Sequence, residues 1–259
     1  VVEYVRDTDD RPDVIFLAEA FTRPRKLQEL AKVGFTQSYS YFTWRNGRDE
    51  IREFLEELTQ TEVAEYLQPN FFANTPDILH EYLQTGGTPA FKIRAALAAT
   101  LSPSYGIYSG YELIENIPLH PGSEEYRDSE KYEVRVRDWN APGNIKGYIQ
   151  RLNAARGSNA ALRLYMNLRF HETTNPRIIA YSKVTPDQSN RVVVIANLDP
   201  FAAHESMVAL DGEVLGLGDG ESYLVQDLLT GMEYTWRGLT NYVRLQPSEP
   251  VHLFRVVTL

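Results

Sequence analysis

Short apolar runs alternate with helix-like segments over roughly the first 155 residues of the chain. Residues 14–18 read Val-Ile-Phe-Leu-Ala, a continuous apolar run typical of a strand buried on both faces of a sheet. In residues 49–58 the apolar positions recur at i, i+3, i+4 and i+7, which predicts a helix with one buried face. Strands that alternate with helices indicate βα units built around a parallel sheet.

Four such units are predicted in this region. We expect strands at residues 14–18, 35–41, 71–72 and 106–109. We expect helices at residues 26–33, 49–58 and 91–101, and a last helix with Ile145, Ile149, Leu152 and Ala155 on its inner face. Thr88 is a suitable N-cap for the third helix, with Pro89 at its first helical position.

The pattern changes after about residue 160, where short apolar runs follow one another without helical periodicity. Strands are predicted at residues 178–183, 191–197, 205–210, 222–227, 233–237 and 251–257. Asp211-Gly212 and Thr230-Gly231 are predicted to be tight turns. We therefore expect an α/β domain over residues 1–158 and an antiparallel all-β sandwich over residues 159–259.

Composition narrows the possible function classes. The chain of 259 residues carries a net charge of −9, which argues against nucleic-acid binding. It contains no cysteine, which is consistent with a reducing compartment, and no apolar run long enough to cross a membrane, so we expect a cytoplasmic protein. The five histidines show no metal-ligand spacing, and no metal or cofactor is expected.

Two carboxylates follow predicted strands directly. Glu19 comes immediately after the run 14–18, and Asp77 follows the strand at 71–72. Acids carried to one rim by different parallel strands indicate sugar chemistry. The structural alternatives are that Glu19 caps a helix or pairs with Arg23, and that Asp77 only serves the turn Thr-Pro-Asp. Glu19 has apolar neighbours in sequence, which would help an acid to keep its proton.

A long polar stretch lies between the fourth predicted strand and the last predicted helix. It covers residues 111–140 and has seven acidic residues before Asp138. Loops of this length inside a compact domain are uncommon unless they are functional.

Five segments resemble glycoside hydrolase family 13, the α-amylase superfamily. They are FLAEAFTRP at 16–24, GFTQSYSYFTWR at 34–45, NTPDIL at 74–79, SGYEL at 109–113, and GSEEY at 122–126 with DSEKY at 128–132. The resemblance is closer to one branch, the α-1,4-glucan:maltose-1-phosphate maltosyltransferases. Amylase-type hydrolases usually carry Asn-His-Asp where this chain has Asn74-Thr75-Pro76-Asp77.

The resemblance implies the second half of a (β/α)8 barrel followed by the β-sandwich. It implies an enzyme that moves α-maltosyl from maltose 1-phosphate to the non-reducing end of an α-1,4-glucan, with retained stereochemistry and no cofactor. By the match, Glu19 is the general acid/base, Asp77 the transition-state stabiliser, and Lys131 and Tyr132 contact the far sugar. Asn74 is expected to brace its loop, and full-length members of the family are homodimers.

The matching segments do not include the family's nucleophile strand. We therefore expect the chain alone to be inactive as a transferase. An open half-barrel also predicts either a partner that carries the other half or self-association. The alternatives are a fragment of an amylase-type hydrolase and a non-catalytic carbohydrate-binding fragment.

Overall fold

The chain folds into two successive groups of secondary structure, described by a computed structural model for residues 1–8, 11–130 and 134–258. A π-helical turn, Tyr4–Thr8, comes first. The first group consists of β1 Leu17–Ala18, α1 Pro24–Lys32, β2 Gln37–Tyr39, α2 Arg48–Gln60, β3 Pro69–Phe72, α3 Glu81–Leu101, β4 Ser104–Gly106 and α4 Lys146–Ser158. The strands pair in parallel in the order β1-β2-β3-β4, so the four predicted strand–helix units are confirmed.

β1 and β2 are shorter than predicted, β3 is longer and begins at Pro69, and β4 is displaced. β2 stops at Tyr39 because Ser40 caps a 3-10 turn over Tyr41–Trp44, accepting a hydrogen bond from the Phe42 N–H at 3.4 Å. The strand predicted at 106–109 begins two residues earlier and ends three residues earlier, at Ser104–Gly106. Beyond Gly106, the backbone N–H of Tyr108 donates to a side chain, the Asn74 Oδ1, at 2.8 Å.

Helix α3 contains a break at Gly87, where φ is +55° and ψ is −155°. Glycine adopts such a conformation without steric cost. The predicted start at Thr88 and Pro89 is therefore the start of the second segment of α3, and the first segment was not predicted. In the alanine-rich second segment every residue from Ile93 to Leu101 is buried, which allows close packing on both sides.

The two faces of the parallel sheet have different environments. On one face the helices cover β3, and the Phe42 ring stacks on the Phe71 ring at 4.4 Å. The opposite face carries Leu17, which the strand register places beside Gln37. Because side chains alternate between the two faces, every second residue along each strand lies on this face. There Ile15 is 71% exposed and Leu17 is 42% exposed. This face is thus apolar and largely uncovered at β1.

The second group is an eight-stranded antiparallel sheet with one short helix. Its elements are β5 Leu168–Thr173, β6 Ile178–Val184, β7 Arg191–Asn197, β8 His204–Ala209, α5 Gly212–Leu215, β9 Ser222–Asp227, β10 Glu233–Arg237, β11 Thr240–Leu245 and β12 Val251–Thr258. The strand order is β10-β9-β12-β7-β6-β5-β8-β11. Because only residues 238 and 239 separate β10 from β11, the two outer strands lie near each other and the sheet is nearly closed.

The six predicted strands of this region are present, but two further strands were missed. The exposure of β5 does not alternate, because Leu168 to His171 pair with β6 whereas Glu172 and Thr173 pair with β8. β11 places the polar Asn241 inward, where its amide donates to the Tyr223 hydroxyl at 3.0 Å. A change of partner and a polar inward residue both hide a strand from the period-2 pattern.

One of the two predicted turns was wrong. Asp211 is the N-cap of α5, and its carboxylate accepts from the Val214 N–H at 3.2 Å. An aspartate before a glycine is as good a cap as it is a turn residue. Thr230-Gly231 does form the turn between β9 and β10, with Gly231 at φ +79°.

The two groups share a core built around α3. The outer face of the antiparallel sheet packs on this helix, and the Thr100 and Tyr181 hydroxyls lie 2.5 Å apart across the junction. A second apolar core, including Ile195, Val225 and Phe254, fills the inside of the antiparallel sheet. Among the described residues, none of the helices is long and apolar enough to span a bilayer.

Candidate active site

Glu19 is the first residue after β1, at the carboxyl end of the parallel sheet. Burial, and then the negative charge of Glu19, raise the pKa of the Tyr39 phenol on the neighbouring strand, so the two side chains are close. The Glu19 side chain is exposed. The apolar setting that the sequence predicts for it is therefore not provided by the residues that the structure describes.

Asp77 lies in a tight turn that follows β3. Thr75 and Ile78 exchange backbone hydrogen bonds of 3.2 Å, which leaves Pro76 and Asp77 at the corner. The Asp77 N–H donates to the Thr75 hydroxyl at 3.2 Å, and the Asp77 residue is exposed. The backbone thus performs the turn chemistry, while the side chain is presented outward.

The structure brings Glu19 and Asp77 to the same edge of the sheet. β1 and β3 run parallel with only β2 between them, and each carboxylate follows the carboxyl end of its strand. Adjacent strands lie about 4.8 Å apart, so the two chain segments are roughly 10 Å apart where they leave the sheet. This is the edge at which α/β barrels place their reactive groups.

Half-buried aromatic rings cover this edge between the two carboxylates. Tyr39 packs against Phe72 at 4.4 Å between ring centroids and against Phe21 at 5.9 Å. Trp44 packs against Phe21 at 5.4 Å and against Tyr41 at 5.7 Å. Flat rings of this kind suit the apolar faces of sugar rings.

Asn74 lies beneath the Asp77 turn and is 1% exposed. Its amide donates to the Tyr126 hydroxyl at 2.6 Å, and its carbonyl oxygen accepts from the Tyr108 N–H at 2.8 Å. It therefore connects β3 to two points of the long loop that follows β4, residues 107–145. This agrees with the expectation that Asn74 braces the loop.

The long loop packs against the Asp77 side of the edge through Glu124. The Trp44 indole N–H donates to both Glu124 carboxylate oxygens, at 3.0 and 3.1 Å. The Glu124 carbonyl oxygen accepts from the Leu79 N–H at 2.6 Å. This contact was not predicted, because nothing in the sequence distinguishes Glu124 from the other acidic residues of the loop.

An ion cluster holds the rest of the long loop. Glu115 accepts from Arg137 at 2.9 Å and from Arg135 at 3.1 Å, and Arg137 also donates to Glu130 at 2.6 Å. The Arg137 guanidinium holds the pKa of the Glu130 carboxyl below its usual range. A cavity of about 240 Å³ lies beside the cluster, lined in part by Ile114 and Arg135.

The two predicted sugar-binding residues, Lys131 and Tyr132, lie outside the described residues. The Glu112 carboxylate accepts from the Gly110 N–H at 3.2 Å, and the Glu112 backbone oxygen accepts from the Ile145 N–H at 2.8 Å. Over residues 1–8, 11–130 and 134–258, no cluster of three or more His, Asp or Glu side chains is arranged to hold a metal ion.

Sequence comparison relates nearly the whole chain to one group of enzymes. The family model described as "GLGE, C-terminal" matches residues 170–256. Alpha-1,4-glucan:maltose-1-phosphate maltosyltransferase 2 of Streptomyces coelicolor is 55% identical over 99% of this chain and 38% of its own length. The maltosyltransferase of Rhodospirillum rubrum is 50% identical over 95% of this chain and 36% of its own length. The chain thus spans less than two fifths of the length of these curated relatives.

Comparison with solved structures shows an α-amylase-like fold. An Anoxybacillus α-amylase matches with a TM-score of 0.74 at 14% identity, over 97% of this chain and 54% of the amylase chain. The γ-CGTase of an alkalophilic Bacillus clarkii matches with a TM-score of 0.68 at 17% identity, over 97% of this chain and 37% of that chain. At such identities the likeness concerns the fold alone.

Proposed function

We propose that this chain is the C-terminal portion of an α-1,4-glucan:maltose-1-phosphate maltosyltransferase and that it supplies two of the three catalytic carboxylates of such an enzyme. Its similarity to the maltosyltransferases and to the C-terminal family model supports this. The whole protein transfers α-maltosyl from maltose 1-phosphate to the 4-hydroxyl at the non-reducing end of an α-1,4-glucan. The observation that carries this proposal is the position of Glu19 and Asp77 at one edge of the parallel sheet, beside aromatic rings.

Glu19 acts as the general acid/base. In the first step it gives its proton to the departing phosphate oxygen, while the bond from the anomeric carbon to that oxygen breaks and a bond to the nucleophile forms. In the second step it takes the proton of the attacking glucan hydroxyl, and the nucleophile leaves. Two displacements at one carbon retain its stereochemistry. Docking of the remaining protein on the exposed side of β1 provides the low-polarity setting that Glu19 needs.

Asp77 stabilises the transition state by accepting hydrogen bonds from two ring hydroxyls of the reacting sugar. The tight turn supports this role, because it anchors the Asp77 backbone while the side chain remains exposed. Lys131 and Tyr132 bind the far glucose unit of the maltosyl group. Their assignment depends on the match of the DSEKY segment at 128–132.

The nucleophile comes from protein outside this chain. We infer that the parallel sheet is the second half of an eight-stranded barrel, followed over residues 159–259 by a β-sandwich. The exposure of Ile15 and Leu17 on the uncovered face supports this, since a closed barrel buries such residues. The partner of this face is the first half of the barrel, and the complete enzyme is a cytoplasmic homodimer. The chain alone is inactive as a transferase.

The activity is tested with the complete protein, maltose 1-phosphate and a short maltooligosaccharide. The expected products are inorganic phosphate and a glucan longer by two glucose units. Glu19→Gln should lower the rate by about 10²–10⁴-fold, the usual contribution of a positioned acid. This chain by itself should release no phosphate.

The same assay separates the alternatives. An amylase-type hydrolase releases free maltose from the glucan without using maltose 1-phosphate. A non-catalytic carbohydrate-binding fragment retains its glucan affinity when Glu19 is replaced, and its complete protein shows no transfer. Transfer that survives Glu19→Gln unchanged would refute the assigned role of Glu19.

A further inference from the structure

The 3-10 turn Tyr41–Trp44, which follows β2, contacts the segment that carries Glu19. The Tyr41 hydroxyl donates to the backbone oxygen of Thr22, three residues after Glu19. The Trp44 ring packs edge-on against the Phe21 ring at 5.4 Å. Two residues of the turn therefore hold the segment that leaves β1.

The same turn contacts the segment that carries Asp77. The Thr43 hydroxyl donates to the Phe72 carbonyl oxygen at 3.2 Å, at the end of β3. Trp44 binds the Glu124 carboxylate, and Glu124 in turn accepts from the Leu79 N–H, two residues after Asp77. The turn is thus a shared support for both carboxylate-bearing segments.

A buried arginine from α3 holds this turn. Arg94 is 1% exposed, and its guanidinium donates to the Phe42 carbonyl oxygen at 2.7 Å and to the Arg45 carbonyl oxygen at 2.5 Å. The guanidinium also lies over the Phe42 ring at 3.9 Å. The Phe42 carbonyl oxygen also accepts from the Arg45 N–H at 2.9 Å, the bond that closes the 3-10 turn, so Arg94 binds the turn at its last hydrogen bond and at the residue that caps it.

The contacts of Arg94 are unusual for a buried cation. Within the described ranges it forms no ion pair with a carboxylate, although a buried charge normally requires one. The fork of an arginine can bridge two carbonyl oxygens, which the single ammonium of a lysine cannot do in the same geometry. The free-energy cost of removing the Arg94 guanidinium from water is offset mainly by its hydrogen bonds and its ring contact with this one turn.

We propose that Arg94 is a positioning residue for the transfer reaction. Through the turn Tyr41–Trp44 it sets the relative position of the Glu19 and Asp77 segments, so that acid and stabiliser act on the same sugar. The proposal depends on the function proposed above for these two carboxylates, and its first test does not require activity.

The first test is hydrogen exchange of backbone amides in this chain. Arg94→Lys should speed exchange at the Thr22 and Leu79 amides by at least about tenfold, because both segments lose their common support. Exchange in β6 and β7 should not change. Arg156 is the matched control, since it is a half-buried arginine that donates to the Ser102 and Pro103 carbonyl oxygens and lies over a tyrosine ring. Arg156→Lys should leave both segments unchanged, and equal effects of the two variants would overturn the proposal.

The second test uses two sugar donors with the complete enzyme. The leaving group of α-maltosyl fluoride is fluoride, and that of maltose 1-phosphate is phosphate. Hydrogen fluoride is a stronger acid than hydrogen phosphate, so fluoride leaves more readily without receiving a proton. The fluoride donor therefore depends less on the general acid. Tyr41→Phe keeps the ring and removes only the bond to Thr22. It should therefore lower kcat at least tenfold more with maltose 1-phosphate than with the fluoride, with little change in KM.

A control variant addresses the Asp77 side. Thr43→Val removes the bond to Phe72, and it should lower kcat equally for both donors, because Asp77 serves both transition states. Arg94→Lys should show both effects. Equal loss for both donors in Tyr41→Phe would refute the positioning of the acid. If the unsubstituted enzyme transfers nothing, the proposed function fails, whereas the exchange experiment still reports on the support of the two segments.

Discussion

Replacement of Lys183 by methionine should stabilise the chain at neutral pH, and the gain should shrink as the pH rises. Lys183 is on β6 and is fully buried at the junction with the helices. Its ammonium group donates to the Leu164 carbonyl oxygen. Burial, and then the nearby positive charge of Arg156, lower the pKa of Lys183 from 10.5 to about 7.

The sign and size of the effect follow from this shift. Between about pH 7 and pH 10.5 the folded chain holds Lys183 neutral while the unfolded chain holds it protonated. Unfolding therefore takes up a proton, and stability increases by about 1.4 kcal/mol for each pH unit. At pH 7.5 the burial of Lys183 costs about 4 kcal/mol, and at pH 9.5 only about 1 kcal/mol. Methionine removes this cost but leaves the Leu164 oxygen without its donor, a loss of about 1–3 kcal/mol.

The measurement is the free energy of unfolding in urea at pH 7.5, 8.5 and 9.5, for the unsubstituted chain and for Lys183→Met. The variant should be more stable by about 1–3 kcal/mol at pH 7.5, and its advantage should fall by roughly 3 kcal/mol by pH 9.5. The other titrating groups are the same in both chains, so their contributions cancel when one unfolding free energy is subtracted from the other. Lys26 is exposed, so Lys26→Met should show no such trend. A difference that is constant across this pH range would refute the reasoning.

Three further predictions concern stability and can be checked by thermal or urea unfolding. Asn74→Ala should cost about 1–3 kcal/mol, because it leaves the Tyr126 hydroxyl and a backbone N–H without partners; an unchanged midpoint would contradict the bracing role. Gly87→Ala should destabilise by about 1 kcal/mol because φ is +55° there, whereas Gly157→Ala within α4, where the added methyl meets no atom, should stabilise by about 0.5–1 kcal/mol. Tyr181→Phe should lower the free energy of unfolding by about 0.5–1.5 kcal/mol, because the Thr100 hydroxyl on α3 loses its partner. Adding Thr100→Val to this variant should restore the stability if the two hydroxyls are paired.

The strand–helix order of the first group could be predicted because its signals are local. Apolar periodicity predicted helix α2, and Thr88 with Pro89 marked the start of the second segment of α3. Element ends were less accurate. Whether residues 106–109 continue a strand depends on Asn74, which lies more than 30 residues earlier in the chain and captures the Tyr108 N–H.

The residues of the candidate site also fall into those that local sequence signals could predict and those that they could not. Glu19 and Asp77 were visible because each acid directly follows an apolar strand, and their roles were suggested by the resemblance to a known family. Arg94 and Glu124 were not visible. One lies in an alanine-rich helix and the other among several acids, and their importance comes from contacts with residues 50 to 80 positions away.

By itself, the sequence determined the number and order of the strand–helix units and the placement of two carboxylates at the ends of parallel strands. These properties follow from short-range periodicity and from the single direction in which such strands run. The tertiary structure alone decided that one turn, held by a buried arginine, supports both carboxylate segments, that β5 changes partner between two strands, and that one face of the parallel sheet is uncovered at β1. Each depends on which distant surfaces meet, and no local pattern encodes that.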